Sequence, residues 1–150
     1  MINIYIKSFN RPFYLDRCIR SVKFNVRNYG KIIILDDGTE QKFINRLMKT
    51  HPDVEFRSSG ADDGKMALLR EEKFAAIEQS YPSAIKFWTD EVAKDGSDYV
   101  FILEDDAWVC RQIDLQALAS ARLSGKKTLE HRANTGVLLI YAPNPATPYS

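Results

Sequence analysis

A chain of 150 residues with 45% hydrophobic content can bury the core of one domain and is short for two, so we expect a single domain over residues 1–150. The formal net charge of +1 excludes a strong overall field as the basis of binding to nucleic acid or to an anionic membrane. The longest apolar runs are far shorter than the roughly 20 residues that cross a bilayer, and no secretory signal is visible. These features predict a cytoplasmic protein without a transmembrane segment.

The first part of the chain predicts a strand, a helix and a second strand. Isoleucines alternate with other residues over positions 2–6, which is typical of a strand with one well-buried face. After Pro12, apolar residues recur at helical spacing over 15–22. The continuous apolar run 32–35 indicates a strand that is covered on both faces in a parallel sheet.

An acidic turn follows this second strand at positions 36–39, which read Asp-Asp-Gly-Thr. Gly38 allows a tight turn, and we expect Thr39 to cap the helix that carries the apolar residues of 44–48. A short third strand is predicted over 54–57.

The second half predicts two helices, a strand and a further acidic turn. Helical spacing predicts one helix from Lys65 that Pro82 interrupts, and a second helix over 85–92. The apolar strand 99–103 ends directly in Glu-Asp-Asp at 104–106.

Another helical face over 115–119 and a late strand over 136–141 complete the pattern. The alternation of strands and helices predicts an α/β domain, Rossmann-like, with a mostly parallel central sheet flanked by helices.

The two acidic turns follow strands whose carboxyl ends we expect at the same edge of the sheet, where open α/β sheets bind ligands. Adjacent carboxylates repel one another unless a cation, a basic side chain or water neutralises them. Mg²⁺ and Mn²⁺ prefer oxygen ligands and combine one or two carboxylates with substrate phosphates. We therefore expect Mn²⁺ or Mg²⁺ at 104–106, facing a nucleotide diphosphate. A solvated acidic turn there, and an ordinary Asp-Gly turn at 37–38, are the alternatives.

Three segments together resemble glycosyltransferase family 2 and related enzymes of the GT-A fold, namely residues 4–12, 33–39 and 103–106. The resemblance implies a GT-A layered fold, possibly truncated, that forms the nucleotide-sugar-binding part of the enzyme. It further implies a metal-dependent glycosyltransferase of the hexosyl or hexosaminyl type. The donor would be a nucleotide-diphosphate sugar, with a UDP-sugar favoured, and the hydroxyl acceptor is not identified.

The resemblance also implies roles for residues at the strand ends. Asp37 matches a carboxylate that hydrogen-bonds the base or ribose, while Asp36 supports the turn. In the DxD-type metal motif, Asp106 matches the direct metal ligand, and Asp105 lies beside it at the metal or the donor sugar. The remaining donor-binding candidates, in the nucleotide pocket or near the diphosphate, are Lys7, Ser8, Phe9, Arg11, Lys65 and Arg70.

The sequence does not locate the general base that glycosyl transfer to a hydroxyl requires. Asp114 and Glu130 are nominal candidates only. A non-catalytic nucleotide-sugar-binding or assembly module therefore stays open as an alternative. A nucleotidyltransferase is disfavoured because no Gly-rich, basic phosphate loop follows the first strand.

Overall fold

The computed structural model of the protein describes residues 1–123 and 139–141, and this part of the chain forms seven strands and six helices. In chain order the elements are β1 (Ile2–Ser8), α1 (Pro12–Asn25), β2 (Val26–Arg27), β3 (Tyr29–Asp36), α2 (Gln41–Thr50), β4 (Glu55–Ser58), α3 (Asp63–Arg70), α4 (Phe74–Ser80), α5 (Ala84–Ala93), β5 (Val100–Glu104), β6 (Ile113–Asp114), α6 (Leu115–Leu123) and β7 (Leu139–Tyr141).

Five of the strands form one sheet in the order β4-β3-β1-β5-β7. The first four strands in that order are mutually parallel, and β7 pairs antiparallel with β5. Strands β2 and β6 form a separate parallel pair. The predicted α/β fold with a mostly parallel central sheet is confirmed.

Helix α1 covers one face of the sheet. Pro12 occupies the first turn, where its missing N–H costs nothing and its fixed φ favours the helix. The stripe predicted from helical spacing is buried against Ile4 and Ile6 of β1 and Ile34 of β3. The buried residues of this stripe are Leu15, Cys18, Ile19 and Val22.

Helix α5 packs on the opposite face. Successive strand residues point to opposite sides of a sheet, so Tyr5 and Ile33 lie on this face and are almost fully buried. They pack with Val92 and Trp88 of α5. Coverage of both faces is the reason that β3 has a continuous apolar run.

Three helices, rather than the two predicted, lie between β4 and β5. Helix α3 ends at Arg70 and the chain turns at Glu72, whose φ of 56° lies in the left-handed region. The predicted break at Pro82 therefore falls after a second, shorter helix. Apolar periodicity misses such a break because α4 buries no residue completely.

The other boundaries differ only slightly from prediction. Strand β4 begins at Glu55, and the late strand is described only from Leu139, since 136–138 lie outside the described residues. Cys18 and Cys110 are free thiols. Within the described residues, no helix combines the length and apolar character needed to span a membrane.

Candidate functional site

The carboxyl ends of β1, β3 and β5 lie side by side at one edge of the sheet. Ser8 of β1 is in register with Asp36 of β3, and Lys7 is in register with Glu104 of β5. Strands β3 and β4 lie on one side of β1 in the sheet, and β5 lies on its other side, so the order of the strands reverses at β1. Ligands bind at such switch points, and both acidic turns converge on this one.

The turn after β3 is organised by Asp36. Its Oδ2 accepts hydrogen bonds from the backbone N–H of Gly38 at 3.1 Å and of Thr39 at 3.0 Å, and its Oδ1 accepts from the Thr39 hydroxyl at 2.5 Å. Burial raises the pKa of Asp36, and these hydrogen bonds oppose the rise. The supporting role predicted for Asp36 is confirmed.

Thr39 does not cap the next helix, contrary to prediction. Its hydroxyl oxygen accepts from the backbone N–H of Asn10 at 2.9 Å, which ties the end of β1 to the end of β3. Helix α2 begins at Gln41 after Glu40, without a side-chain cap. Because the hydroxyl already bonds Asp36 and Asn10, it serves the turn instead of the helix.

Asp37 is buried at this edge in an ion pair with Lys65 of α3, which is also buried. The ammonium bonds Oδ2 of Asp37, and it lies 5.1 Å from the ring centroid of Phe9. Oδ1 of Asp37 is buried and has no hydrogen-bond partner among the residues that the structure describes. Asp37 thus keeps one unpaired acceptor oxygen, and the cation that pairs with its other oxygen lies over an aromatic ring.

Asp105 is the buried member of the acidic turn after β5. Its Oδ2 accepts hydrogen bonds from the Ser8 hydroxyl at 3.3 Å and from the Phe9 backbone N–H at 3.2 Å. Burial raises the pKa of Asp105, against the influence of the Phe9 N–H and of the Arg11 guanidinium. Asp105 therefore holds the ends of β1 and β5 together and fixes the backbone that carries Phe9.

Asp106 lies at the surface, with about half of its side chain exposed, and its Oδ2 is 2.6 Å from Nη1 of Arg11. The same nitrogen is 3.7 Å from Oδ1 of Asp105. Glu104 forms an ion pair with Lys7, whose ammonium also lies 5.0 Å from the Trp88 ring centroid. Basic side chains of the protein itself therefore offset the charge of this acidic turn.

These residues fit a metal ion that the substrate helps to hold. Within the described residues there is no group of three or more His, Cys, Asp or Glu side chains placed to ligate a metal, so this part of the chain does not supply a complete cage. Mg²⁺ needs no such cage, because it commonly uses one or two carboxylates and completes its coordination with phosphates and water. Asp106 offers an exposed carboxylate of the kind that such a cation would bind. Arg11 must release Asp106 before a cation can bind there.

Other predicted residues lie apart from this cluster. Arg70 is exposed and donates to Glu40 at 3.1 Å. Within the described structure it forms no hydrogen bond or ion pair with the strand-end carboxylates. Asp114 is exposed and accepts from the N–H of Ala117 at 3.0 Å at the start of α6. Glu130 lies outside the described residues.

A cavity of about 500 Å³ opens elsewhere, at residues that include Asn3, Tyr5 and Arg57. Its charged groups are already paired: Tyr5 donates to Asp95 at 2.6 Å, and Arg57 donates to Glu91 at 3.1 Å. It adjoins the beginning of β1 rather than its carboxyl end. The candidate site is therefore the strand ends, where a buried acceptor, Oδ1 of Asp37, has no hydrogen-bond partner within the described part of the chain.

Two features of the site were missed in the sequence. Asn10 adopts a positive φ of 47° and donates its backbone N–H to the Thr39 hydroxyl. In the sequence, only its position between Phe9 and Arg11 indicated that it belongs to the site. Phe13 and Tyr14 follow at the start of α1, outside the buried stripe of that helix. The helical periodicity of α1 already placed these two aromatic residues on the polar side of an amphipathic helix, and this position could have indicated an exposed aromatic surface.

No known family profile matches the sequence. No curated protein sequence matches it either. The fold, however, is found among solved structures. The structure of TarS from S. aureus has a TM-score of 0.55 at 9% identity, covering 82% of this chain and 19% of TarS.

Glucosyl-3-phosphoglycerate synthase from Mycobacterium tuberculosis, in complex with uridine diphosphate, matches with a TM-score of 0.54 at 16% identity, over 84% of this chain and 41% of the synthase. Its complex with Mn²⁺, uridine diphosphate and phosphoglyceric acid gives the same score and identity, over 40% of that chain. The chain has a GT-A-like fold. It spans about a fifth to two fifths of the lengths of these proteins.

Proposed function

We propose that the protein binds a nucleotide-diphosphate sugar at the ends of β1, β3 and β5 and forms the donor-binding part of a metal-dependent glycosyltransferase. The observation that carries this proposal is the buried Oδ1 of Asp37, which has no partner within the described structure. A buried acceptor without a hydrogen bond costs about 1 to 3 kcal/mol, so a ligand that supplies a donor is favoured there. The N–H of a base or a ribose hydroxyl is such a donor.

The neighbours of Asp37 suit the rest of a nucleoside diphosphate. Phe9 offers an aromatic face to the base, and Lys65 provides a positive charge beside it. Arg11 is the exposed cation at the same edge and would contact the diphosphate once it leaves Asp106. The solved complexes with uridine diphosphate on a related fold favour uracil as the base.

Asp106, with Asp105 beside it, would hold Mn²⁺ or Mg²⁺ against the diphosphate. Such a cation stabilises the negative charge that develops on a leaving diphosphate. Glycosyl transfer forms a bond between the acceptor oxygen and the anomeric carbon while the bond from that carbon to the diphosphate oxygen breaks. A general base takes the proton of the acceptor hydroxyl. We assign this role to none of the described residues at this edge.

Titration of the whole chain with UDP-glucose, GDP-glucose and ADP-glucose, each with Mn²⁺ and with a chelator, tests the donor proposal. We expect the uridine donor to bind most tightly, and each donor that binds to do so more tightly with Mn²⁺ than with the chelator. Absence of binding to every nucleotide sugar under both conditions would contradict the proposal.

The alternative is a binding or assembly module without turnover, which stays open because the described residues at this edge include no side chain to which the role of general base is assigned. The two functions differ in what happens to bound donor. Release of free uridine diphosphate from UDP-glucose, by transfer or by slow hydrolysis, would support the enzyme. Tight binding with the donor left intact would support the module.

A further inference from the structure

An aromatic surface lies beside the proposed donor site. It consists of Phe13, Tyr14 and Trp108, whose residues are 67%, 45% and 37% exposed. We call these three residues the aromatic platform. Single exposed apolar residues are ordinary in proteins, whereas contiguous exposed apolar patches mark interaction sites.

The geometry of the platform is ordered. The rings of Tyr14 and Trp108 are nearly parallel, with 9° between their planes and 6.3 Å between centroids. Phe13 meets Tyr14 edge to face at 6.0 Å. The guanidinium of Arg17 lies 4.2 Å from the Trp108 ring centroid and 5.9 Å from that of Phe13. A cation held over aromatic rings in this way fixes their orientation before any ligand arrives.

The platform is contiguous with the donor site along both chain segments that build it. Arg11 and Asp106 form the ion pair at the proposed metal position. Phe13 follows Arg11 by two residues, and Trp108 follows Asp106 by two residues. A molecule on the platform would therefore lie next to a sugar whose diphosphate is held at Arg11 and Asp106.

We infer that the aromatic platform binds a saccharide, which serves as the acceptor; this inference rests on the proposed function. The apolar C–H face of a pyranose ring matches the negative face of an aromatic ring, while the hydroxyls at its rim need polar partners. Arg17 supplies guanidinium donors at the platform itself, since it lies over the rings of Trp108 and Phe13. A wholly apolar partner would cover the Arg17 guanidinium without offering it an acceptor, which makes a polyhydroxylated ring the better match.

The two tryptophans of the chain provide an internal control for the test. The indole N–H of Trp88 donates to the carbonyl of Leu35 at 3.2 Å, on the α5 face of the sheet. Trp108 lies on the platform. In a nitrogen-proton NMR spectrum of the whole chain, saccharide binding should shift the indole signal of Trp108 and leave that of Trp88 in place.

Titrations with cellobiose, maltose and chitobiose, in the presence of UDP and Mn²⁺, provide defined probes. We expect at least one of them to shift the Trp108 indole, and Tyr14→Ala to weaken that binding by about tenfold or more. The matched control is Phe24→Ala, because Phe24 is an exposed aromatic residue near the far end of the same helix. It should leave saccharide affinity unchanged.

Affinity for UDP, measured in the same samples, separates this inference from the donor proposal. If UDP binds but no saccharide moves the Trp108 signal, the saccharide site is refuted and donor binding stands. A Trp108 signal that moves with protein concentration instead of saccharide would likewise overturn the inference, because it would make the platform a surface for self-association. If UDP fails to bind, the donor proposal fails by its own measurement.

Discussion

At the scale of single residues, the unusual feature is the buried pair of Asp37 and Lys65. A buried ion pair is weak evidence for stability, since desolvation of both charges offsets their attraction. Here one carboxylate oxygen also lacks a partner in the described structure. An arrangement with this cost is typical of a binding site, where a ligand completes the hydrogen bonding.

Asp37→Asn tests this assignment. The amide removes the negative charge and replaces one acceptor oxygen by a donor, so we expect UDP affinity to fall about tenfold to a hundredfold. Calorimetric titration measures the affinity. Asp53→Asn is the matched control, because Asp53 forms an exposed ion pair with Lys23 at 2.5 Å away from the strand ends. Equal UDP affinity in Asp37→Asn and the unaltered protein would remove Asp37 from the donor site.

Asp95 makes a separate prediction about stability and pH. Burial would raise the pKa of Asp95, but hydrogen bonds from Tyr5, Asn3 and Ser97 outweigh it and lower the pKa to about 2. A depressed pKa stabilises the fold above the ordinary value of 3.8, and this contribution is lost as the pH falls from about 4 to about 2.

We therefore expect Asp95→Asn to lower the free energy of unfolding by about 1 to 2 kcal/mol at pH 7. The difference from the unaltered protein should shrink steadily below pH 4. Urea unfolding at a series of pH values measures it. A difference that stays constant down to pH 2 would show that the charge of Asp95 is not what stabilises the fold.

At the scale of elements, the turn between β3 and α2 determines where Asp37 points. Gly38 has a φ of 108°, and a Cβ added there would come within 3.0 Å of the Cβ of Ala61. The neighbouring carboxylate of Asp36 closes the same turn. The turn is thus held by backbone geometry that other residues rarely adopt.

Gly38→Ala should lower the free energy of unfolding by about 1 to 2 kcal/mol and weaken UDP binding at the same time. The matched control is Gly96→Ala, because a Cβ at Gly96 meets no atom within 4 Å. We expect that control to stay within about 0.5 kcal/mol of the unaltered protein. Thermal unfolding and UDP titration of both variants provide the comparison. Equal effects of the two substitutions would contradict a special role for the turn.

Local pattern was sufficient to predict the elements that form the sheet. Alternation in β1 and the apolar run in β3 reflect burial on one or both faces, which is a property of each strand's own residues. The break at Glu72 was not predictable, because helices α3 and α4 expose most of their surfaces and carry little periodic signal.

The candidate site likewise has one part that the sequence predicts and one part that it does not. The acidic turns were predicted because each follows its strand directly in sequence. The partners of these acids were not, since Lys65 and Asp37 are 28 residues apart and Arg11 and Asp106 are 95 apart. Only the order of strands in the sheet determines such contacts, and Thr39 was misassigned for the same reason.

At the scale of the whole molecule, the order of the strands brings both acidic turns to one edge of the sheet, which is where we propose that the donor binds. Strand β1 lies between the two strands that end in acidic turns, within a GT-A-like fold. The aromatic platform would extend this edge toward an acceptor. The proposed donor binding depends above all on a cation that joins Asp106 to the diphosphate.

One titration tests that claim most directly. UDP-glucose is added to the unaltered chain, to Asp106→Ala and to Asp98→Ala, each with Mn²⁺ and with a chelator; Asp98 is an exposed acid before the other end of β5. We predict that Mn²⁺ raises affinity by about tenfold or more, equivalent to about 1.4 kcal/mol, in the unaltered chain and in Asp98→Ala. Asp106→Ala should lose this gain. The same affinity with Mn²⁺ and with the chelator in the unaltered chain, or an undiminished gain in Asp106→Ala, would contradict the account.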